Sequence, residues 1–404
     1  MNLTLEQVDL GVRITAVVIA VAWALVLFDR KRWWPLQWSL HLDAAAREPH
    51  VGEHSDVVVV IPARNEAATL PQTLPRFLKQ ADWVRRIVVV DDRSVDRTSS
   101  CARRLAAGTP AEDRLHVVRI DDTEPEWSGK VYAMQRGYET AVEGWDGDPT
   151  RQWILFTDAD VLHPTCSLSR LMAKAGTGEF DLISVMVRLR ARTAWEWLLI
   201  PGFTYFFQLL FPFRKVSARS YRGAAAASEV MLIRRSALDE AGDLESIRDR
   251  TADGVALAEA VKRSGGNCWL GLDPDFASLR TYDAYGPVHE KVARSAFEIL
   301  GQHHWKITLV VLTLLLLYVG PPLLALYGAV RFDLIIGGAA LIAWLVSMVT
   351  YLPVVQYLGV PSGLAAMLPL TGFLYAVMVA ASGWRQLLGR RAEWRTSTEV
   401  DLTE

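Results

Sequence analysis

The sequence predicts an α/β domain on a parallel sheet, with membrane-spanning helices before and after it. Short β-branched runs alternate with segments of helical periodicity, and two runs end in acids, Asp91-Asp92 and Asp158-Ala-Asp160. Charge is abundant over residues 43–195 but absent from 307–330 and 334–384. Because open α/β sheets bind ligands beyond the carboxyl ends of their strands, the acidic pairs mark the expected site.

The membrane segments are predicted from the uncharged stretches. Residues 10–28 are apolar except Arg13, whose long side chain can reach the interface. No small-residue cleavage site follows, so we interpret this stretch as a retained anchor rather than a signal peptide. At about 20 residues per crossing, residues 306–384 hold two or three spans, and 385–404 form a polar tail.

The charges beside the first span predict its orientation. Asp29-Arg-Lys-Arg32 follows the span and Glu6 precedes it. The positive-inside rule then predicts a multi-pass protein of the cell inner membrane, with residues 50–305 forming a cytoplasmic domain. Three spans after that domain would place the C-terminus outside, whereas the arginines after residue 384 predict inside. Either one segment re-enters near Pro353 and Pro361, or the rule fails here.

Composition excludes two classes of protein. A net charge of −2 argues against nucleic acid as a partner, since such binding needs a clustered excess of Lys and Arg. The three cysteines, Cys101, Cys166 and Cys268, lack metal-ligand spacing and are too few for a disulfide framework. They are typical of a reducing compartment.

The domain elements follow from local patterns. Strands are predicted at 57–61, at 87–91, at 115–120 and at 153–157. Helices are predicted between them at 69–80, from Asp96 or Thr98 to about 107, and at 131–142. A Gly, Asp and Pro stretch, 144–150, ends the last helix before the fourth strand.

Three Asp-x-Asp sequences occur, so the bare motif is weak evidence. Asp146-Gly-Asp148 lies in a turn-rich loop and Asp273-Pro-Asp275 contains a strand-breaking proline. Asp158 and Asp160 alone follow a strand, where two carboxylates suit Mg²⁺ or Mn²⁺ together with substrate phosphates. The alternative is structural, since Asp160 could cap a helix after Pro164.

Four motifs in order carry a family resemblance. They are Ile61-Pro-Ala-Arg-Asn-Glu66, Val90-Asp-Asp-Arg-Ser-Val-Asp-Arg-Thr98, Trp127-Ser-Gly-Lys130 and Thr157-Asp-Ala-Asp160. This series resembles the inverting family-2 glycosyltransferases, which implies a GT-A, Rossmann-like nucleotide-diphospho-sugar transferase domain. Further segments, Ser184-Val-Met-Val-Arg188 and Trp269-Leu-Gly-Leu272 among them, resemble the hopene-associated glycosyltransferases of hopanoid clusters. Ceramide glucosyltransferases are a more distant likeness.

The resemblance implies roles for particular residues. The nucleotide would be held by the loop residues Pro62, Ala63, Arg64 and Glu66 and by the acidic turn Asp91, Asp92 and Arg93. Lys130 would approach the base or the diphosphate, Asp158 the ribose or the ion, and Asp160 the metal. The alternatives are an exposed Arg64–Glu66 pair and a solvated charge at Lys130.

Inversion needs a carboxylate to remove the proton of the acceptor hydroxyl. The family places it as the second acid of a pair that opens a helix. Here that stretch reads Thr251-Ala-Asp-Gly-Val255, so Gly254 stands where the acid is expected. Asp253 is the nearest candidate base, Asp249 is a poorer one, and an N-terminal cap is the structural alternative for Asp253.

Apolar segments predict a lipid acceptor. Residues 197–213 are uncharged and aromatic, which favours a membrane-interface segment over 195–213, with a buried core helix as the alternative. Residues 287–300 form a second amphipathic candidate. The leading hypothesis is a metal-dependent transferase moving one sugar from a nucleotide donor, expected to be uridine-linked, to a lipid acceptor, for which the resemblance suggests a hopanoid. A polysaccharide- or ceramide-type glycosyltransferase, a nucleotidyltransferase, a non-catalytic nucleotide-sugar or lipid-binding protein and a transporter are the alternatives.

Overall fold

A computed structural model describes residues 5–28, 57–80, 84–177 and 179–387. Within these residues the chain divides into an α/β unit, 57–189 and 213–280, and a helical unit, 5–28, 190–212 and 281–387. The chain thus leaves the α/β unit at residue 190 and returns at 213. The basic run 29–32, residues 50–56 and most of the polar tail lie outside the described residues.

The α/β unit is built on one mixed sheet. Its strands, in chain order, are β1 Val57–Ala63, β2 Val84–Asp92, β3 Leu115–Ile120, β4 Trp153–Thr157, β5 Val161–Leu162, β6 Leu182–Arg188, β7 Val230–Arg234 and β8 Cys268–Ser278. The spatial order is β3-β2-β1-β4-β7-β6-β8-β5. The first four are parallel, and β7 pairs antiparallel with both β4 and β6. The four strands predicted from the sequence are confirmed.

Helices cover the sheet. Those of the α/β unit are α2 Leu70–Leu78, α3 Thr98–Ala106, α4 Gly129–Val142, α5 Ser167–Ala175, α7 Phe213–Val216, α8 Arg235–Glu240 and α9 Asp253–Arg263, with α6 belonging to the helical unit. The valines of β1 and β2 are fully buried, as continuous β-branched runs of a sheet covered on both faces require. Because β1, β2 and β4 are parallel, their carboxyl ends share one edge, where the predicted acids lie.

The helical unit holds α1 Leu5–Phe28, α6 Ala194–Leu210, α10 Tyr285–Ile299, α11 His304–Leu314, α12 Gly320–Val330, α13 Leu334–Tyr357 and α14 Leu368–Leu387. A π-helical turn, Leu315–Val319, joins α11 to α12. Four of the described segments are long and apolar enough to cross a membrane: Gln7–Leu27, His304–Val330, Leu334–Tyr357 and Ser362–Leu387.

Ion pairs mark one end of this unit. Arg13 Nε lies 2.7 Å from Asp333 Oδ2, and Arg331 Nη2 lies 2.9 Å from Asp9 Oδ2. The start of α1 and the turn between α12 and α13 therefore share an end. The sequence predicted that Arg13 would extend towards water, and the structure adds an aspartate partner for it.

Helix α14 runs in the same direction as α13. The start of α13 packs on the end of α12, since a Cβ on Gly328 would lie 2.3 Å from the nitrogen of Gly337. A Cβ on Gly383, near the end of α14, would lie 3.2 Å from Ile307 at the start of α11. Both helices are thus antiparallel to α11 and α12, so the link at 358–367 runs back along the unit. Whether this segment re-enters the membrane stays a prediction.

Helix α6 occupies the predicted interface segment. A capping box between Thr193 and Glu196 begins it. One face is buried in the helical unit, where Tyr205 Oη lies 2.9 Å from Thr350 Oγ1, while Trp195 and Leu210 are exposed. The helix therefore combines a buried face with exposed apolar ends, and its position at a membrane interface stays a prediction.

Candidate active site

The loops after β1 and β2 are tied together at the carboxyl edge of the sheet. Asn65 and Arg93 adopt left-handed backbone conformations, with φ of 56° and 54°, which is uncommon outside glycine. Ser94 Oγ accepts a hydrogen bond from Asn65 N at 3.0 Å, and Asn65 Oδ1 accepts one from Val95 N at 2.9 Å. Such strained positions persist where surrounding contacts fix them, and they cluster at ligand sites.

The first acidic pair is buried and has protein partners. Asp91 accepts hydrogen bonds from Ser94 N at 3.0 Å and from Ser99 Oγ. Asp92 Oδ1 accepts a hydrogen bond from Arg93 Nε at 2.9 Å, and Asp92 Oδ2 lies 3.9 Å from Arg64 Nη1. The pair thus shapes the loop and holds two arginines.

Three of the predicted loop residues, Pro62, Ala63 and Glu66, are buried. Glu66 is buried and bonds to Thr69, so it is not one partner of an exposed ion pair with Arg64. Pro62 and Ala63 are buried at the end of β1, in register with Val90 and Asp91. The backbone at this edge is therefore fixed next to the acidic turn.

Lys130 joins two carboxylates that the sequence did not pair. Its Nζ lies 2.7 Å from Asp158 Oδ1 and 3.1 Å from Asp253 Oδ2. Burial by itself lowers the pKa of Lys130, but the charges of Asp158 and Asp253 outweigh it and raise that pKa above its usual value. Lys130 is thus a half-buried, charged ammonium rather than a solvated surface lysine.

Asp253 is buried and faces Lys130. It is the first residue of α9, whose N-cap position is Ala252, so the capping alternative for Asp253 does not hold. Its Oδ2 forms the ion pair with Lys130 and accepts no other hydrogen bond from the described residues. Burial raises the pKa of Asp253, which Lys130 opposes. A buried carboxylate whose Oδ2 is paired with a lysine alone is suited to accept a proton.

Asp249, the poorer candidate base, is exposed and so lacks the buried surroundings of Asp253.

Gly254 is required by packing. A Cβ at this position would lie 2.5 Å from the carbonyl oxygen of Ala226 and 2.9 Å from the nitrogen of Ser228. Both atoms belong to the backbone, so no side chain fits there. The family's second acid is therefore excluded by the close approach of the 226–228 loop.

Glu229 was missed by the sequence reasoning. Its backbone oxygen accepts hydrogen bonds from Asp158 N at 3.1 Å and Thr157 Oγ1 at 3.0 Å. Its charge raises the pKa of both Lys130 and Asp253. Its place directly before β7 was an available signal, but β7 was not predicted.

Asp158 and Asp160 differ in their surroundings. The Asp158 carboxylate is partly exposed and bonds Lys130, whereas Asp160 is buried and its Oδ2 accepts a hydrogen bond from Ser278 Oγ at 3.4 Å. Asp160 does not cap α5, whose N-cap is Cys166. The other two Asp-x-Asp sequences serve local structure: Asp148 bonds Thr150, and Asp273 and Asp275 bind Arg170.

The carboxylates of Asp158 and Asp160 are compatible with a hard cation whose remaining ligands come from the substrate. In the described part of the chain, no three His, Cys, Asp or Glu side chains stand together to hold a metal by themselves. Mg²⁺ is usually bound by one or two carboxylates plus substrate phosphates, which two aspartates can supply. Lys130 would compete with such a cation for Asp158.

The helical unit contains an apolar cavity. Its volume is 380 Å³, and it is lined by helices α1, α6, α10, α11 and α14 together with the π-helical turn. Its wall includes Trp23, Phe203, Phe206, Val292 and Leu317. A cavity of this size and composition suits a hydrocarbon group.

Comparison with known proteins shows what the α/β unit is similar to. Residues 58–242 match the family model described as Glycosyl transferase family 2. The chain is 34% identical over 105 residues to a 4,4'-diaponeurosporenoate glycosyltransferase of Staphylococcus haemolyticus, covering 26% of this chain and 24% of the relative.

Two further relatives act on undecaprenyl phosphate according to their names. The transferase of 4-deoxy-4-formamido-L-arabinose from Shewanella sediminis is 31% identical over 141 residues, 34% of this chain and 38% of the relative. The mannosyltransferase of Micrococcus luteus is 32% identical over 124 residues, 30% of this chain and 45% of the relative. The chain thus spans less than half the length of these curated relatives.

A solved structure shares the architecture. The mannosyltransferase of Pyrobaculum calidifontis, in complex with GDP-Man and Mn²⁺, superposes with a TM-score of 0.53 at 18% identity, covering 94% of this chain and all of that one. At this identity the likeness establishes the fold, which confirms the predicted GT-A architecture with apolar helices at both ends. Over residues 58–242 the chain is thus similar to the glycosyl transferase family 2 domain.

Proposed function

We propose that this protein is a membrane-bound glycosyltransferase that moves one sugar from a nucleotide donor to a hydroxyl group of a membrane lipid, with inversion. The observation that carries the proposal is the buried carboxylate of Asp253, whose Oδ2 is paired with Lys130 beside a domain that matches the family 2 model. The long apolar helices and the apolar cavity support a lipid acceptor.

Asp253 acts as the general base in this proposal. It takes the proton of the acceptor hydroxyl as that oxygen bonds to the anomeric carbon, while the bond from that carbon to the diphosphate oxygen breaks. A direct displacement inverts the anomeric centre. Burial raises the pKa of Asp253 towards the working pH, and Lys130 keeps it ionised, which together suit a base.

The donor is held at the shared carboxyl edge of β1, β2 and β4. The loops at Asn65 and Arg93 with Asp91 and Asp92 bind the nucleoside, a uridine in our proposal. Asp158 and Asp160 would hold Mg²⁺ or Mn²⁺, which when bound neutralises charge on the departing diphosphate. Lys130, next to Asp158, supplies a further positive charge there.

The acceptor chemistry follows from the need for a base. A lipid phosphate is already largely ionised at neutral pH and needs no proton removed, whereas a hydroxyl does. Asp253 therefore favours a hydroxyl-bearing lipid, and the resemblance to hopene-associated enzymes favours a hopanoid. The second candidate is a polyprenyl phosphate, which the names of two relatives support.

The non-catalytic alternative rested on Gly254. The backbone of Ala226 leaves no room for a side chain there, which supports packing as the reason for the missing acid rather than loss of a catalytic group. We also propose that the α/β unit faces the cytoplasm of the inner membrane, where nucleotide sugars are made, as the charges beside the first span predict.

The test is transfer from labelled nucleotide sugars to extracted membrane lipids by the purified full-length protein, read by mass spectrometry. Wild-type protein should yield a neutral glycolipid, and Asp253→Asn should lower its rate about 10²- to 10⁴-fold with donor binding retained. Asp249→Asn, an exposed neighbour, is the matched control and should be active. A product that appears only with polyprenyl phosphate, at equal rates in both variants, would refute the hydroxyl acceptor.

A further inference from the structure

The α/β unit carries a basic surface segment that the proposed chemistry does not use. We call residues 213–223 the basic loop. Arg214, Lys215, Arg219 and Arg222 are all exposed in it. The sequence contains no Asp or Glu between Glu196 and Glu229, so this stretch of the chain carries a net positive charge.

Hydrogen bonds to Lys262 and Leu270 hold the backbone and a side chain of the basic loop in place. Lys262 Nζ lies 2.7 Å from Val216 O, 2.8 Å from Tyr221 O and 3.2 Å from Gly223 O. Ser217 Oγ accepts a hydrogen bond from Leu270 N at 3.1 Å, which ties the loop to β8. By donating hydrogen bonds to these carbonyl oxygens, Lys262 fixes the backbone conformation of the basic loop.

The buried side chains of the loop complete this anchoring. Phe213 and Val216 are buried, whereas Tyr221 is 37% exposed beside the cations. The apolar residues thus point into the unit and the charged ones into solvent. An ordered loop loses less conformational entropy when its cations meet a partner.

We propose that the basic loop docks on the headgroups of anionic phospholipids. Clusters of four or more Lys and Arg close to a membrane segment bind anionic lipid surfaces, and here the cluster directly follows the uncharged stretch 197–213 in the chain. Tyrosine is also typical of the headgroup level. This inference does not depend on the identity of the transferred sugar or of the acceptor.

Native mass spectrometry of the full-length protein in detergent tests the proposal. Phosphatidylglycerol or phosphatidylcholine is added, and the lipid retained is measured. Each cation beside an anionic surface contributes roughly fivefold to binding, so Arg219→Gln with Arg222→Gln should lower phosphatidylglycerol retention at least about fivefold. Phosphatidylcholine retention should stay unchanged. Because the readout is lipid binding, it stands apart from transfer activity.

The matched control is Arg103→Gln with Arg104→Gln, two exposed arginines on α3 that should leave retention unchanged. Equal phosphatidylglycerol retention by the basic-loop variant and the wild type would overturn the proposal. Displacement of the lipid by millimolar inorganic phosphate would also overturn it, because the loop would then be a site for soluble phosphate. The exposed substitutions should not change the melting temperature, which confirms folding of each variant.

Discussion

Gly254 and Ala226 approach so closely that their contact decides where the candidate base lies. The carbonyl oxygen of Ala226 would be 2.5 Å from any Cβ at position 254. At its start, helix α9 therefore offers its carboxylate from Asp253, one residue earlier than the family pattern. The same contact packs the 226–228 loop against α9. The carbonyl oxygen of Ser228, in that loop, lies 3.4 Å from Lys130 Nζ.

The first prediction concerns this contact. Gly254→Ala should destabilise the protein by roughly 1–3 kcal/mol, because the new methyl group meets backbone that cannot rotate away. Gly286→Ala is the matched control: Gly286 is also the second residue of its helix, and a Cβ there meets nothing within 4 Å. Thermal unfolding in detergent measures both. Equal melting temperatures for the two variants would contradict the packing argument.

A second prediction tests the cation. Asp160→Asn should abolish the dependence of donor binding on Mg²⁺ or Mn²⁺, because it removes one of two carboxylate donors. Asp148→Asn, in an exposed Asp-x-Asp sequence, serves as control. Calorimetry with a panel of nucleotide sugars, with and without EDTA, makes the measurement. Tight, metal-dependent binding by the Asp160 variant would remove the metal from this position.

A third prediction concerns Lys130. Lys130→Met leaves Asp158 and Asp253 without their shared counter-charge, so the free energy of unfolding should fall by about 3 kcal/mol. Added Mg²⁺ or Mn²⁺ should raise the melting temperature more in this variant than in the wild type, because Lys130 no longer competes for Asp158. Lys79→Met, at an exposed lysine, should behave as the wild type. Indifference of the Lys130 variant to both ions would contradict this competition.

A fourth prediction gives the effect of pH on stability. His163 is packed between the rings of Phe77 and Phe276, and burial lowers its pKa to about 3 from an ordinary 6.5. Between these values the unfolded chain binds a proton that the folded protein does not. Stability should therefore fall as the pH drops below about 6.5, by up to about 1.4 kcal/mol per pH unit from this group.

The variant His163→Phe isolates this contribution. Thr157 Oγ1 bonds His163 but keeps Glu229 O as a partner, so the substitution leaves its hydroxyl satisfied. Melting temperatures from pH 7.5 to 4.5 should decline less steeply than those of the wild type. The exposed His303→Phe should retain the wild-type slope. Parallel curves for the His163 variant and the wild type would show that His163 is not the titrating group.

A fifth prediction concerns the C-terminus. The end of α14 lies beside the start of α11 and beside α10, where Arg385 Nη2 lies 2.7 Å from Glu290 Oε2. Under the proposed orientation this end faces the cytoplasm. A green fluorescent protein fused to the C-terminus should fluoresce, and an alkaline phosphatase fusion should be inactive. The reverse pattern would contradict the proposed orientation of the protein in the membrane.

Local patterns in the sequence carried much of the fold. The runs that form β1, β2 and β4 are rich in apolar residues and mostly buried. A few adjacent residues are therefore enough to predict each strand. Acids at the ends of such strands must lie at the carboxyl edge of a parallel sheet, and Asp92 and Asp158 do lie at that edge. The uncharged stretches likewise indicated helices long enough for a membrane.

By itself, then, the sequence determined the α/β domain, its acidic edge and its apolar helices, because periodicity, burial and charge segregation act between neighbours in the chain. The tertiary structure alone decided that Lys130 joins Asp158 to Asp253, that Ala226 forbids a side chain at Gly254, and that α14 runs alongside α13 in the same direction. Those relationships depend on ångström distances between residues far apart in the chain, which are set only when the elements pack.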